Sequence, residues 1–504
     1  MVNSIFRWIM KKRIHQIELF MKYPLEVQEE WFQDLISSAQ ATEWGKRYGY
    51  DAICTPEDFK ASVPIQDYER LKPDIERMMH GEQNILWPSP VKWFAKSSGT
   101  TSDRSKFIPV SEEALEDCHY KGGKDLLSIY CHNCPETEIF KGKSLLLGGS
   151  RTVNTIGNTI QGDLSAIILE NLPFWAEYRS VPGKDIALLP DFEDKIGRIA
   201  EVAINENITS LSGVPTWNLV LAKRMMQMTG KSNLLEIWPN LELYFHGGVS
   251  FKPYQEQFKK LIPTDRMYYL ENYNASEGYF AIQDCRDDPS MLLMLDYGIY
   301  FEFLPVEKLN EVNPETLDLA QVELDKNYAI IISTNGGLWR YMIGDTIKFT
   351  SLFPFRIVVT GRTKQFINTF GEELMVDNAD NALKQAALET HAEIREYTAG
   401  PIYLKDDGEP GGHEWIIEFD VLPDHKEGFC KSLDKHLRAI NSDYDAKRYK
   451  DMALKEPLIH FAPEGTFYRW MKTRGKLGGQ NKVPRLSNDR TYLDSILQQL
   501  EADT

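Results

Sequence analysis

A chain of 504 residues exceeds one ordinary domain, and two to three are expected. Hydrophobic residues make up 42% and aromatics 12%, ample for a large core, while a net charge of −17 excludes nucleic acid and anionic membrane surfaces as main partners. No apolar run approaches the ~20 residues of a membrane-spanning helix, and the six cysteines are sparse enough to suit a reducing, cytoplasmic setting.

Residues 5–39 read as two helices. Phe6, Ile9, Ile14, Ile17, Phe20 and Met21 recur near helical spacing, and Pro24 breaks the run. The apolar start is followed by Lys11-Lys12-Arg13, the reverse of a signal peptide's charge order, so it reads as an amphipathic helix packed on the body. Phe59-Lys60-Ala61-Ser62-Val63-Pro64-Ile65 leads into a charged helix from Tyr68 to His80.

Then comes Ser97-Ser98-Gly99-Thr100-Thr101-Ser102-Asp103-Arg104-Ser105-Lys106. Clustered hydroxyls and exposed main-chain N–H groups make a concave seat for an anion, and glycine lets the chain turn there. The lysine that closes the run can reach the same anion, so the stretch reads as a loop holding the phosphates of ATP. It is not a Walker loop, which opens a helix directly. Its flanks, Val91–Ala95 and Phe107–Val110, are strand-like, and Ser111 caps a later helix over 112–130. After that helix, Cys131-His132-Asn133-Cys134 lacks the second pair that a structural zinc site takes and reads as reduced surface-loop thiols.

Lys143–Leu147, Ile208–Leu211, Leu241–Phe245 and Arg266–Leu270 read as strands, with helices from Trp217 to Gly230 and from Pro253 to Ile262 between them. Strands alternating with helices point to parallel βαβ sheets, whose ligands sit beyond the carboxyl ends of the strands. From 291 to 350 the β signals thicken into an antiparallel or barrel-like part. After Gly361-Arg362-Thr363-Lys364 the composition shifts to a small α+β unit. The chain is thus expected to be α/β, with a large domain over 1–361 and a small one over 362–504.

Three further segments carry chemistry. In Tyr273-Asn274-Ala275-Ser276-Glu277, an aromatic face can cover a purine, a hydroxyl can bond an α-phosphate and a carboxylate can hold Mg2+. Trp339-Arg340-Tyr341-Met342-Ile343-Gly344-Asp345 ends in a carboxylate able to accept from both ribose hydroxyls. Gly478-Gly479-Gln480-Asn481-Lys482 puts a lysine on a glycine-rich loop near the end of the chain, able to meet a phosphate or carboxylate. Each is weak alone; their order is not.

That order, Ser-Ser-Gly-Thr-Thr with Lys, then Tyr-x-x-Ser-Glu, then Tyr-x-x-Gly-Asp, then a hinge and a late lysine, resembles the adenylate-forming superfamily. More closely, the chain is similar to the Gretchen-Hagen-type acyl acid amido synthetases, the auxin-responsive proteins of plants and their bacterial relatives. Phe59–Ile65, Ser97–Thr101, Ser212–Trp217, Tyr273–Gly278, Arg340–Asp345 and Lys482-Val483-Pro484-Arg485 carry the likeness. Where plant members usually have Tyr before the Arg of the Gly-Asp motif, this chain has Trp339.

The resemblance implies a two-step ligase. A carboxylic acid attacks the α-phosphate of ATP to give an acyl-adenylate and pyrophosphate, and an amine, typically an amino acid, then displaces AMP. On that reading Ser97, Ser98, Gly99, Thr100, Thr101 and Lys106 hold the β- and γ-phosphates, and Glu277 carries Mg2+. Tyr273 packs on adenine, approached closely by Gly247 and Gly248; Asn274 and Ala275 flank it. Ser276 meets the α-phosphate and Asp345 the ribose, while Arg340 and Arg362 contact phosphate or ribose. Lys482 arrives on a small mobile domain hinged near Thr363 and Lys364. His246 beside the glycines is read as structural. The acid pocket is expected between Gly149-Ser150 and Ser212–Trp217, near Tyr273. A CoA ligase of the same superfamily and a non-catalytic nucleotide-binding module are the alternatives.

Overall fold

The computed structural model describes residues 2–97, 106–148, 154–189, 192–248, 251, 254–309, 311–363, 366–372, 374–404, 409–448, 454–474 and 483–502. These fall into two compact units: one of residues 2–97, 106–248 and 258–363, the other of the chain beyond residue 365 together with residues 254–257.

In the first unit, Pro24 begins the second helix, Pro24–Ala39, directly after the first, Val2–Lys22. The first helix packs through Met10, Ile14, Ile17 and Phe20, all buried. Arg13, the last cation of the basic cluster, is buried with them: it pairs with Asp125 at 2.7 Å and Asp296 at 2.8 Å. Local signals set other ends. Asp67 caps the helix Tyr68–Met79 by accepting from the Arg70 N–H. The helix Pro215–Thr229 starts on its proline and stops at Gly230, whose φ of 67° places it in the left-handed region.

Among the described residues of this unit, fifteen strands are numbered in chain order. A small sheet joins β1 (Trp93–Ser97), β2 (Lys106–Val110), β4 (Asn154–Ile156) and β5 (Thr159–Asp163) in the order β2-β1-β5-β4. The large sheet uses β3 (Lys143–Leu146), β6 (Ser180–Val181), β7 (Ile208–Ser212), β8 (Leu243–His246) and β9 (Tyr268–Ala275). It continues with β10 (Gly278–Ile282), β11 (Met291–Leu293), β12 (Ile299–Pro305), β13 (Asn327–Thr334), β14 (Tyr341–Leu352) and β15 (Phe355–Arg362). Its order is β12-β13-β14-β15-β11-β10-β9-β8-β7-β3-β6.

Pairing changes sense at β9. On one edge Leu243–His246 run parallel to Tyr268–Glu271; on the other, β10 returns antiparallel through a two-residue turn, with Gly278 opposite Ala275. The parallel βαβ half and the antiparallel stretch over 291–350 are therefore two halves of one sheet. Its interior is apolar on both faces: Leu243, Leu270, Phe280, Ile282, Leu293, Ile330, Ile332, Ile347 and Ile357 are all buried, as strands covered on both sides require.

The second unit is α+β. Strands Glu393–Ile402 and Gly412–Val421 pair antiparallel, and Leu458–Ala462 joins the second in parallel. The helices Val376–Glu389 and Lys426–Ile440 pack on each other. At its centre His413 pairs with the carboxylate of Glu372 at 2.8 Å, and that carboxylate also accepts from the Thr369 and Phe370 N–H groups.

Candidate active site

Ser97 ends β1 and Lys106 begins β2, and the two face each other in register. The hydroxyl-rich stretch expected as a loop is thus flanked by paired strand ends; Ser98, Gly99, Thr100 and Thr101 lie outside the described residues, as does Lys482. Ser111 then caps the next helix, its Oγ accepting from the Ala114 N–H at 2.9 Å and donating to the Asn335 carbonyl at 2.7 Å. That helix opens with a π-helical stretch, Ala114–Tyr120, before the α-helix Lys121–Asn133, a wide-turn insertion frequent near functional sites. Tyr68 steadies the lysine post. Its hydroxyl accepts from the Phe107 N–H at 2.9 Å, and the Lys106 ammonium lies 5.8 Å from its ring centre.

Tyr273, Asn274 and Ala275 are the last residues of β9, and Ser276-Glu277 form the turn into β10. The segment expected as a loop after Leu270 is therefore a hairpin tip. Tyr273 is buried, its ring tilted on Phe280 with centroids 4.9 Å apart, and its hydroxyl donates to Asp345 Oδ2 at 2.6 Å. Arg362 stands opposite Asp345 across β14 and β15 and donates Nε to Oδ1 at 2.7 Å. Three strands separate β9 from β14 in the sheet order. At ~4.8 Å per strand, a flat sheet would hold those backbones ~19 Å apart, so the antiparallel half curls to bring Tyr273 onto Asp345.

Glu277 is half-buried. Burial raises its pKa, opposed first by the nearby Lys106 cation and further by Arg362, while Asp345 adds to the rise. Lys106, Glu277, Tyr273, Asp345 and Arg362 thus share one neighbourhood, reached from two sheets. Ser276, Asn274 and Ala275 are on the same hairpin. Gly247 and Gly248 follow β8 beside it: a Cβ on Gly247 would meet the Asn272 carbonyl at 2.5 Å, and Gly248 has φ +80°. Gly247 answers first to its neighbour strand β9, and Gly248 to its own left-handed backbone.

Arg340 is elsewhere, and the expectation that it meets the nucleotide is corrected. Its Nε and one terminal nitrogen donate to Glu302 at 2.8–3.2 Å; that nitrogen also meets Thr316 Oγ1 at 2.9 Å. The other terminal nitrogen takes the Lys60 and Val63 carbonyls at 3.0 and 2.6 Å. All five of its N–H donors are engaged, and its φ of 42° turns it away from the run of β14. Besides Asp345, the residue of that motif near these groups is Tyr341, which lies in the electrostatic range of Glu277, Tyr68, Asp67 and Arg362. Sequence reasoning passed over both Tyr341 and Tyr68; the pointers were the Tyr-x-x-Gly-Asp spacing and the Asp67 cap. His246 is buried against Tyr244, 5.4 Å between ring centres, and burial lowers its pKa to about 3. It is a neutral structural histidine, not a base poised near neutrality.

Glu277 offers a hard cation a half-buried carboxylate that also accepts from its own main-chain N–H. No helix among the described residues is long and apolar enough to cross a membrane.

Three family domains match in succession: the GH3 family N-terminal domain over residues 13–267, its central domain over 292–362 and its C-terminal domain over 377–491. An indole-3-acetic acid-amido synthetase of Arabidopsis thaliana, GH3.3, is 25% identical, the match covering 91% of this chain and 89% of that protein. The jasmonoyl-L-amino acid synthetase JAR4 of Nicotiana attenuata is 22% identical across 97% of this chain and 95% of its own. Among solved structures, a GH3.15 acyl acid amido synthetase superposes with a TM-score of 0.62 at 17% identity, covering 98% of this chain and 96% of that one. With its N-terminal half, central part and C-terminal part all matched in order, the chain belongs to the GH3 family.

Proposed function

We propose that the chain is an ATP-dependent acyl acid amido synthetase. It joins a carboxylic acid to an amino acid through an acyl-adenylate, releasing pyrophosphate and then AMP. The observation that carries this is the convergence of Lys106, Glu277, Tyr273, Asp345 and Arg362 in a chain of this family.

A carboxylate is a poor electrophile because oxide is a bad leaving group. Attack by a carboxylate oxygen on the α-phosphorus, with the bond to pyrophosphate breaking, replaces oxide by AMP as the group to be displaced. The amine nitrogen then attacks the carbonyl, the amide forms and AMP departs with the electron pair. In this reading Lys106 and the loop from Ser97 bind the β- and γ-phosphates. Glu277 would hold Mg2+, which when bound offsets phosphate charge. Ser276 is assigned to the α-phosphate. Asp345 accepts one hydrogen bond on each oxygen from Tyr273 and Arg362, and each oxygen keeps a lone pair for a ribose hydroxyl. Arg362 and Tyr273 thereby orient the Asp345 carboxylate assigned to the ribose before any ligand arrives. Lys482, carried on a small domain beginning at residue 362, neutralises the phosphate as charge builds in the transition state.

The test is ATP–pyrophosphate exchange across a panel of aromatic and aliphatic acids, repeated with amino acids and with CoA, the products read by mass. Acid-dependent exchange followed by an amide is expected. A thioester with CoA and no amide would replace this reading with a CoA ligase. ATP binding without pyrophosphate release would replace it with a non-catalytic module.

A further inference from the structure

Tyr341 is fully buried, and its hydroxyl has no hydrogen-bond partner among the described residues. A buried polar group without a partner pays its desolvation with no return, and native structures leave few such groups without a reason. Other unpartnered phenols have other surroundings. Tyr300, for one, has Glu302, Asp318, Glu29 and Glu57 as its charged neighbours. The surroundings of Tyr341 are those of the candidate site: Glu277 is its largest charge influence, followed by Tyr68, Asp67 and Arg362. Glu277 does not itself take the hydrogen bond. Tyr68 already serves the Phe107 N–H, and Arg362 serves Asp345.

The backbone holds Tyr341 in place from two sides. It pairs with Ile332 of β13, and the segment before the Tyr68 helix bridges to it through Gln66: the Gln66 N–H donates to the Arg340 carbonyl, and the Met342 N–H donates to the Gln66 carbonyl, both at 2.9 Å. The phenol is therefore a fixed donor. Burial and the Glu277 charge both raise its pKa, so it keeps its proton at neutral pH. A fixed O–H donor beside a cation-binding carboxylate calls for an anionic oxygen.

We propose that Tyr341 donates its hydrogen bond to a non-bridging phosphate oxygen of the bound nucleotide, alongside Glu277. This rests on the nucleotide reading above and adds to it a role for a motif residue to which that reading gave none.

The experiment compares the full-length wild type with Tyr341→Phe, which keeps the ring and removes only the hydroxyl. Because the hydroxyl has no partner among the described residues, the variant should melt at the wild-type temperature or slightly above it. The shift in melting temperature produced by ATP with Mg2+ should shrink, and kcat/KM for ATP in pyrophosphate exchange should fall roughly ten- to a hundredfold, as for a hydrogen bond to a charged group. Loss of the shift with AMP as well as ATP places the contact on the α-phosphate; loss with ATP alone places it on the β- or γ-phosphate. A full ATP shift and kcat/KM within about twofold of wild type overturn the proposal, as does a lower melting temperature with nucleotide response intact. A Glu277→Gln variant runs in parallel. If it loses exchange while Tyr341→Phe does not, only the role of Tyr341 fails. If the wild type does not respond to ATP, the nucleotide reading fails and this contact with it.

Discussion

The buried pair of Glu302 and Arg340 separates scaffold from site within a single motif. Glu302→Ala removes the carboxylate that accepts from Nε and from one terminal nitrogen of Arg340. The guanidinium is 5% exposed and its partner 1%, so the charge left behind is not rehydrated. Breaking such a pair from one side costs about 3–5 kcal/mol, a large share of the ~5–15 kcal/mol that holds a domain together. With an unfolding entropy of ~2.1 cal/mol/K per residue over roughly 350 residues of the first unit, that loss lowers the melting temperature by about 4–7 °C. The KM for ATP should stay unchanged, because all five Arg340 donors are already engaged in the scaffold. Glu302→Leu with Arg340→Met should recover only part of the loss, since the Lys60 and Val63 carbonyls and Thr316 then lack a donor. The assay is thermal unfolding of each variant beside its exchange kinetics. An unchanged melting temperature with a several-fold rise in KM would refute this account and return Arg340 to the nucleotide.

Lys482→Ala should slow adenylation on the order of a hundredfold or more while ATP binding persists, measured by exchange rate against nucleotide-induced thermal shift; unchanged exchange removes the lysine from the reaction. Glu277→Gln keeps the shape of the hairpin tip and deletes its charge, so the Mg2+ concentration for half-maximal exchange should rise severalfold; an unaltered Mg2+ titration assigns the ion to other ligands. His246 and His119 are buried with pKa values lowered to about 3 and about 4, against about 6.5 in an unfolded chain. The unfolded chain therefore binds the protons first, so stability is full above about pH 6.5 and declines as the pH falls through the window down to those lowered values. His246→Gln should flatten part of that decline in denaturation midpoints taken from pH 7 to pH 4, and an undiminished acid limb would show that His246 does not cause it.

What the sequence made legible and what it withheld follow from the range of the forces involved. Ser97 and Lys106 as ends of neighbouring strands, Ser111 as a cap and Gly230 as a stop are decided within a few residues, by turn chemistry and capping, and each is found where the local pattern puts it. The strand ending at Leu270 was read five residues short because nothing local stops it there. It runs on to Ala275 because β10 folds back along it, a pairing set by the hairpin and not by the strand's own composition. The meeting of Tyr273 with Asp345 was anticipated as a common ligand site but not as a direct bond, since it needs a sheet curled through three intervening strands. Arg340 was misplaced for the same kind of reason. Its neighbours in sequence, Tyr341 and Asp345, lie near Glu277 and Tyr273, yet its own direction is set by Glu302, 38 residues away, and by a left-handed backbone turn that no propensity announces. A motif read as a string credits all of its members with one task. In this strand the chain divides the tasks residue by residue: Arg340 braces the segment that carries Tyr68, Tyr341 stands beside Glu277, and Asp345 completes the bonded trio with Tyr273 and Arg362.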